Sequence, residues 1–168
     1  AFLRGTYTKG KPFKAEVSGS EKQYCFCLPP KGTTNRLAVY EAAIETLAHL
    51  TLEGTTDKWR LSLGGICAPE EGQRQEREAK SPLALDAFLE RHPEITRVAL
   101  YLDNDLAGRV NARKIKALLK SDQRFSKIRV SVNPPRSGKD YNEKLQRTLQ
   151  AIREEKHASR QKQAAVSI

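Results

Sequence analysis

Methionine is absent from the 168 residues, tryptophan occurs once and cysteine three times. There is no apolar run of eighteen or more residues, so no transmembrane helix is predicted. The opening Ala1-Phe2-Leu3-Arg4-Gly5-Thr6 reads as folded sequence rather than as a signal peptide. A chain that opens on Ala1 and holds no Met is expected to be a segment of a longer protein with further domains. The cysteines are too few for a disulfide framework. Cys25 and Cys27 are two apart on a predicted strand and share a face, while Cys67 is distant. With His49, His92 and His157 they give no zinc-ligand spacing. They read as small buried side chains in a reducing compartment, and a cytoplasmic location is predicted.

What the chain does have is positive charge, unevenly spread. The net charge is +10 and the isoelectric point about 9.7. Residues 109–162 hold 16 Lys/Arg against 5 Asp/Glu, whereas the remainder holds 14 against 15. A basic final third on a near-neutral body suggests a surface that faces a polyanion. A solvated helical face explains the same numbers, so charge alone does not decide between them.

The hydrophobic pattern organises the rest. Residues 1–35 read as a β-rich extension with turn signals at Tyr7-Thr8-Lys9-Gly10-Lys11-Pro12 and Val17-Ser18-Gly19-Ser20, and a strand at Gln23–Leu28 stopped by Pro29-Pro30. Then strands and helices alternate. Short apolar strands are predicted at 36–40, 59–63, 96–102 and 127–132. Helices are predicted at 41–52, 82–91, 106–120 and 141–155. The first shows Ala43, Ile44, Leu47, Ala48 and Leu50 at helical spacing, and the second has Ser81 as its cap and Pro82 at its first position. In the third, Val110, Ile115, Leu118 and Leu119 are expected to face inward. Residues 68–80 read as an exposed loop or frayed helix, and residues 156–168 as a fraying tail. Trp59 and Tyr141 read as packing residues. The predicted fold is α/β: a parallel sheet of about four strands with helices on both faces, spanning residues 36–155.

In such sheets ligands bind beyond the carboxyl ends of the strands. Glu41 ends the first strand of the series, Asp103-Asn104-Asp105 ends the third, and Asp140 follows the fourth after a short loop. Converging carboxylates repel one another unless a cation neutralises them, and hard oxygen ligands suit Mg²⁺. Asp103 and Asp105 lie at i and i+2, so both can reach one ion or two adjacent ions; either could instead cap the helix that follows. That helix begins at Leu106-Ala107-Gly108, and its first amides favour bound phosphate.

The segments Leu37-Ala38-Val39-Tyr40-Glu41, Tyr101-Leu102-Asp103-Asn104-Asp105-Leu106-Ala107-Gly108-Arg109 and Gly138-Lys139-Asp140-Tyr141-Asn142-Glu143 together resemble the motifs of Toprim domains. Toprim domains occur in bacterial primases, type IA and type II topoisomerases and OLD-type nucleases. The third segment, and the β-rich start, are most similar to primase-type proteins of plasmids and conjugative elements. The sequence departs from the pattern at Ala42, where many members have Gly. It has Glu45 where primases have Asp, and Asn142 where some have a second Asp.

The resemblance implies a Rossmann-like Toprim fold and Mg²⁺-dependent phosphodiester chemistry, with Mn²⁺ as a substitute. Asp103, Asp105, Glu45 and Asp140 would be metal ligands, and Glu41 the catalytic acid or base or the group that completes the metal shell. Arg109, Arg136 and Lys139 would contact phosphates. The implied partners are DNA or RNA and nucleotides. Three functions stay open: nucleotidyl transfer in a primase-like protein of a mobile element, cleavage by a Mg²⁺-dependent nuclease, and nucleic-acid binding by a catalytically degenerate module.

Overall fold

The computed structural model describes residues 2–5, 13–65 and 81–166. The turn signal at residues 7–12, the loop reading for 68–80 and Cys67 lie outside these residues. Two strands, β1 (Phe2–Arg4) and β2 (Lys14–Glu16), form a separate antiparallel ribbon. The main sheet has five strands: β3 (Cys27–Leu28), β4 (Arg36–Tyr40), β5 (Trp59–Ser62), β6 (Arg97–Leu100) and β7 (Arg129–Val132). Their order is β3-β5-β4-β6-β7, parallel except for β3 at the edge. The architecture is therefore α/β, with a mostly parallel five-stranded sheet. The predicted strand at 23–28 shortens to β3, because a turn closed by Tyr24 N–H on the Glu21 carbonyl occupies its first half. Cys25 and Cys27 are half-buried against the core, and burial pushes the Cys27 thiol up to about 11.

Four helices connect and cover the strands: α1 (Ala43–Glu53), α2 (Leu83–Arg91), α3 (Leu106–Ser121) and α4 (Tyr141–Val166). Helices α2 and α3 cover one face of the sheet. Their Leu85, Phe88, Leu89, Ala112, Ile115 and Leu119 are buried with Leu37, Val39, Leu61, Val98 and Leu100. Trp59 packs edge-on to Phe88 beneath this face, as its sequence context predicts. Val110 instead stands exposed, one step round the helix from the buried stripe.

Helices α1 and α4 cover the opposite face, and here the apolar periodicity misleads. Ile44 and Leu47 of α1 are 46% and 43% exposed, and the buried residues are Glu45, Thr46, Ala48 and His49. The cause lies in the strands, which present Arg60, Tyr40 and Ser62 on this face, so α1 turns its polar side inward to meet them. Helix α2 starts at Leu83, one residue later than predicted, with no side-chain cap. Helix α4 continues through Val166, past the point where the composition reads as a fraying tail. No helix among the described residues is long and apolar enough to cross a membrane.

Candidate metal centre at the carboxyl edge

From β4 the chain crosses to β5 on one side, and from β6 to β7 on the other. The connections therefore part between β4 and β6, which opens a crevice beyond the carboxyl ends of these two strands. Glu41 follows β4 directly, Asp103 follows β6, Glu45 sits in the first turn of α1, and Asp140 precedes α4. Carboxylate oxygens of Glu45, Asp103 and Asp140 all lie within 4.8 Å of one another. Such an acidic triad can hold a metal ion.

Each acid is placed by backbone bonds. Glu45 reaches back to accept from the Ala42 N–H at 3.2 Å, which fixes the entry to α1. Asp140 accepts from the Glu143 N–H at 2.7 Å and caps α4. The Asn104 N–H donates to the Lys139 carbonyl at 2.7 Å, and its side-chain amide donates to the Pro135 carbonyl at 3.2 Å. Asn104 thus ties the loop that carries Asp140 to the end of β6. Glu143 helps from the other side, accepting from the Lys139 N–H at 2.6 Å. Gly138 makes the turn before it at φ +80°, where a side chain would be strained.

Gly108 is required for a different reason. A Cβ there would lie 2.1 Å from the Asp103 carbonyl oxygen, so only glycine lets α3 start this close to the strand end.

The electrostatics show strain at the triad. Asp103 is 7% exposed, and its Oδ1 is buried with no hydrogen-bond partner among the described residues. A buried carboxylate oxygen left in this way costs about 1–3 kcal/mol, more when charged. Burial raises the Asp103 carboxyl despite the Lys139 ammonium 3.4 Å from its Oδ2. Burial and then the Asp103 charge push Glu45 up to about 8, so at neutral pH its carboxyl keeps a proton. A divalent cation would satisfy the orphan oxygen and displace that proton.

The remaining predicted site residues divide. Asp105 is not in the triad: its Oδ1 accepts from the Gly108 N–H at 2.8 Å, and Lys139 stands 3.3 Å from its Oδ2. That amide is the main reason its carboxyl is held below the usual range. The alternative reading of Asp-x-Asp as a helix cap therefore describes Asp105. Glu41 is half-buried beside the triad and adds to the raised state of Glu45, while its carbonyl accepts from the Gly65 N–H at 2.9 Å.

Arg109 donates to the carbonyl and side-chain oxygens of Asn104 at 3.2 and 3.0 Å, a brace on the acidic loop. Arg136 is exposed. Lys139 spans Asp103 and Asp105, and its ammonium is stabilised chiefly by Asp105. Asn104 and Glu143 are the structural residues that pattern reading left without a role. The Glu143 function was signalled by Asp140-Tyr141-Asn142-Glu143, which has capping-box spacing.

No protein-family model matches the chain, and no curated protein matches it.

Proposed function

We propose that the chain is a Toprim-type domain that carries out Mg²⁺-dependent phosphodiester chemistry on nucleic acid, as a primase-like nucleotidyltransferase. The observation that carries this reading is the buried Asp103 carboxylate in the β4–β6 crevice, its Oδ1 without a hydrogen-bond partner and the group within 4.8 Å of the Glu45 and Asp140 carboxylates. Three hard oxygen donors from separate elements suit Mg²⁺, which takes few protein carboxylates and keeps waters for substrate to replace.

Glu45, Asp103 and Asp140 would hold the ion. Bound there, Mg²⁺ supplies polarisation of a phosphoryl oxygen and lowers the pKa of an attacking oxygen. Glu41, at the end of β4 beside the triad, takes the proton of that oxygen or returns one to the leaving group. Lys139, which spans Asp103 and Asp105, would be available to contact a phosphate were an ion to neutralise the triad. Asp105 keeps α3 capped through the Gly108 amide. Arg136, exposed on the neighbouring loop, serves phosphate contact better than Arg109, which is bound to Asn104.

A second, non-catalytic reading has one observation in its favour. Lys139 already bridges Asp103 and Asp105 and partly neutralises the acids without any ion. Calorimetric titration of Mn²⁺ into the parent and into Asp103→Asn separates the two. Saturable binding that the substitution abolishes is expected, with both proteins shown to be folded. Titration that stays flat in both, with single-stranded DNA present, leaves the binding-module reading. If metal binds, ribonucleotide incorporation beside a nicking assay distinguishes primer synthesis from cleavage.

A further inference from the structure

The opposite end of the same sheet carries a feature that the metal centre does not use. Arg36, Arg97 and Arg129 are the first residues of β4, β6 and β7. Strand register sets Arg36 beside Arg97 and Arg97 beside Arg129. Their neighbours Leu37, Val98 and Val130 pack into the α2–α3 core, so alternation puts the three arginines together on the other face. Two residues further along, Ala99 and Ser131 make a low floor, and Tyr101 follows. These residues line an open groove of about 480 Å³.

Three arginines in adjacent register are an unfavourable arrangement. Like charges directly opposite one another on neighbouring strands destabilise a sheet. Arg36 is compensated by Asp57, with its Nη1 2.7 Å from the Asp57 Oδ2. Arg97 and Arg129 have no carboxylate within ion-pair distance among the described residues, and both are exposed. A fold that sets two uncompensated guanidinium groups side by side above a groove floored by small side chains is built to receive negative charge.

We infer that this groove binds the phosphates of a single nucleic-acid strand. Guanidinium groups pair with phosphate in bidentate fashion, and the row runs across β4, β6 and β7 for about 10 Å. It is open at the β7 edge, where Ser131 is exposed. That extended shape suits successive phosphates of a strand better than one nucleotide. At this end of a parallel sheet the connecting helices finish rather than begin, so no helix N-terminus gathers a phosphate cluster to one point. Arg97 lies six residues, about 20 Å, along β6 from Asp103, and the inference does not depend on a metal or on catalysis.

The test is fluorescence anisotropy with a labelled single-stranded oligonucleotide of about 12 nucleotides, in chelator so that the metal centre plays no part. Arg97→Glu is compared with wild type and with Lys114→Glu, an equal charge reversal on the exposed side of α3. Arg97→Glu is expected to weaken binding about ten-fold or more and to flatten the dependence of log K on log salt by about 0.7 or more. Its melting temperature should stand at or above that of wild type, because the new carboxylate lies between two arginines. Lys114→Glu should shift binding much less. Equal weakening in both variants, or unchanged binding in Arg97→Glu, overturns the inference. So does a wild-type protein that binds a nucleoside triphosphate but not the oligonucleotide. Loss of metal binding in Asp103→Asn with oligonucleotide binding intact would leave it standing.

Discussion

On one face of the sheet Leu37, Val39, Val98 and Leu100 meet Leu85, Phe88, Ile115 and Leu119, with no ion pair buried between them among the described residues. On the other face Arg60 and Lys58, 1% and 5% exposed, both bind Glu53 at the end of α1. Beside them the Tyr40 hydroxyl and His49 Nδ1 share a 2.7 Å hydrogen bond, and Tyr101 and Tyr141 close around the pair. The apolar face is held by area and shape, whose terms are many and individually small. The polar face depends on a few partners, and at the Glu53 cluster removing one leaves a charge without its nearest counter-ion. That difference fits their positions, because α1, which carries Glu45, and α4, which Asp140 caps, make the polar face.

The most direct way to break the comparison is to remove one partner from each face. Glu53→Ala strands the buried Arg60 guanidinium and leaves Lys58 with Asp57 alone, 3.3 Å away, and should lower stability by about 4 kcal/mol. Leu85→Ala, wholly buried in α2, should lower it by about 3 kcal/mol. The two are separated by replacing Lys58, Glu53 and Arg60 together with Met, Leu and Met. On the polar face the triple change should recover most of the Glu53→Ala loss, because no charge is left unpaired. Urea unfolding at neutral pH measures all three. A triple variant less stable than Glu53→Ala would mean that this network holds the face by its geometry rather than merely tolerating its charges.

Smaller effects appear in pH dependence, and two residues of α1 act with opposite sign. Glu45 is raised to about 8 by burial and by Asp103, so the folded chain holds a proton that the unfolded chain releases near 4.5. Its stabilising contribution is complete below pH 4.5 and disappears as pH rises to about 8. His49 is lowered to about 4 by burial, so the folded chain lacks a proton that the unfolded chain takes up near 6.5. Its contribution is present above pH 6.5 and is lost as pH falls through about 4. Denaturation across pH should show Glu45→Gln flattening the alkaline limb alone and His49→Gln the acid limb alone. An acid limb unchanged in His49→Gln would remove the imidazole from this account. For the same reason Mn²⁺ binding should tighten between pH 6 and 8 and release a proton, and it should lose that pH dependence in Glu45→Gln.

The two faces also differ in how far the sequence announced them. The apolar runs at Leu37–Tyr40 and Val98–Leu100 mark their strands, and the stripe Leu85, Phe88, Leu89 marks α2, because burial against apolar partners follows a period in one segment. The inward side of α1 could not be read this way. Glu45, Thr46 and His49 are buried only because Arg60 and Tyr40, from two different strands, wait opposite them.

At the site, Asp103 and Asp140 were legible from their places after strand ends, whereas Glu45 was pointed to only by the resemblance to Toprim motifs. The diversion of Asp105 to the Gly108 amide was one of two readings that its position before a helix allowed. The arginine row was not legible, since each arginine is an ordinary strand-opening residue until register sets the three side by side.

The smallest predicted effect tests what the aromatic part of the polar face contributes. The Tyr141 hydroxyl donates to the Asn133 carbonyl at 3.0 Å, while its ring packs 4.2 Å from His49 and edge-on to Tyr40, centroid to centroid 6.5 Å. Tyr141→Phe removes only the donor and should lower stability by about 1 kcal/mol. Tyr141→Ala also removes the ring and should lower it by about 3 kcal/mol. If the Phe variant loses as much as the Ala variant, the hydrogen bond rather than the ring secures the start of α4, and the polar face is polar throughout. If it loses almost nothing, a patch of ordinary packing lies inside the polar face, and the contrast between the two faces narrows to the Glu53 network alone.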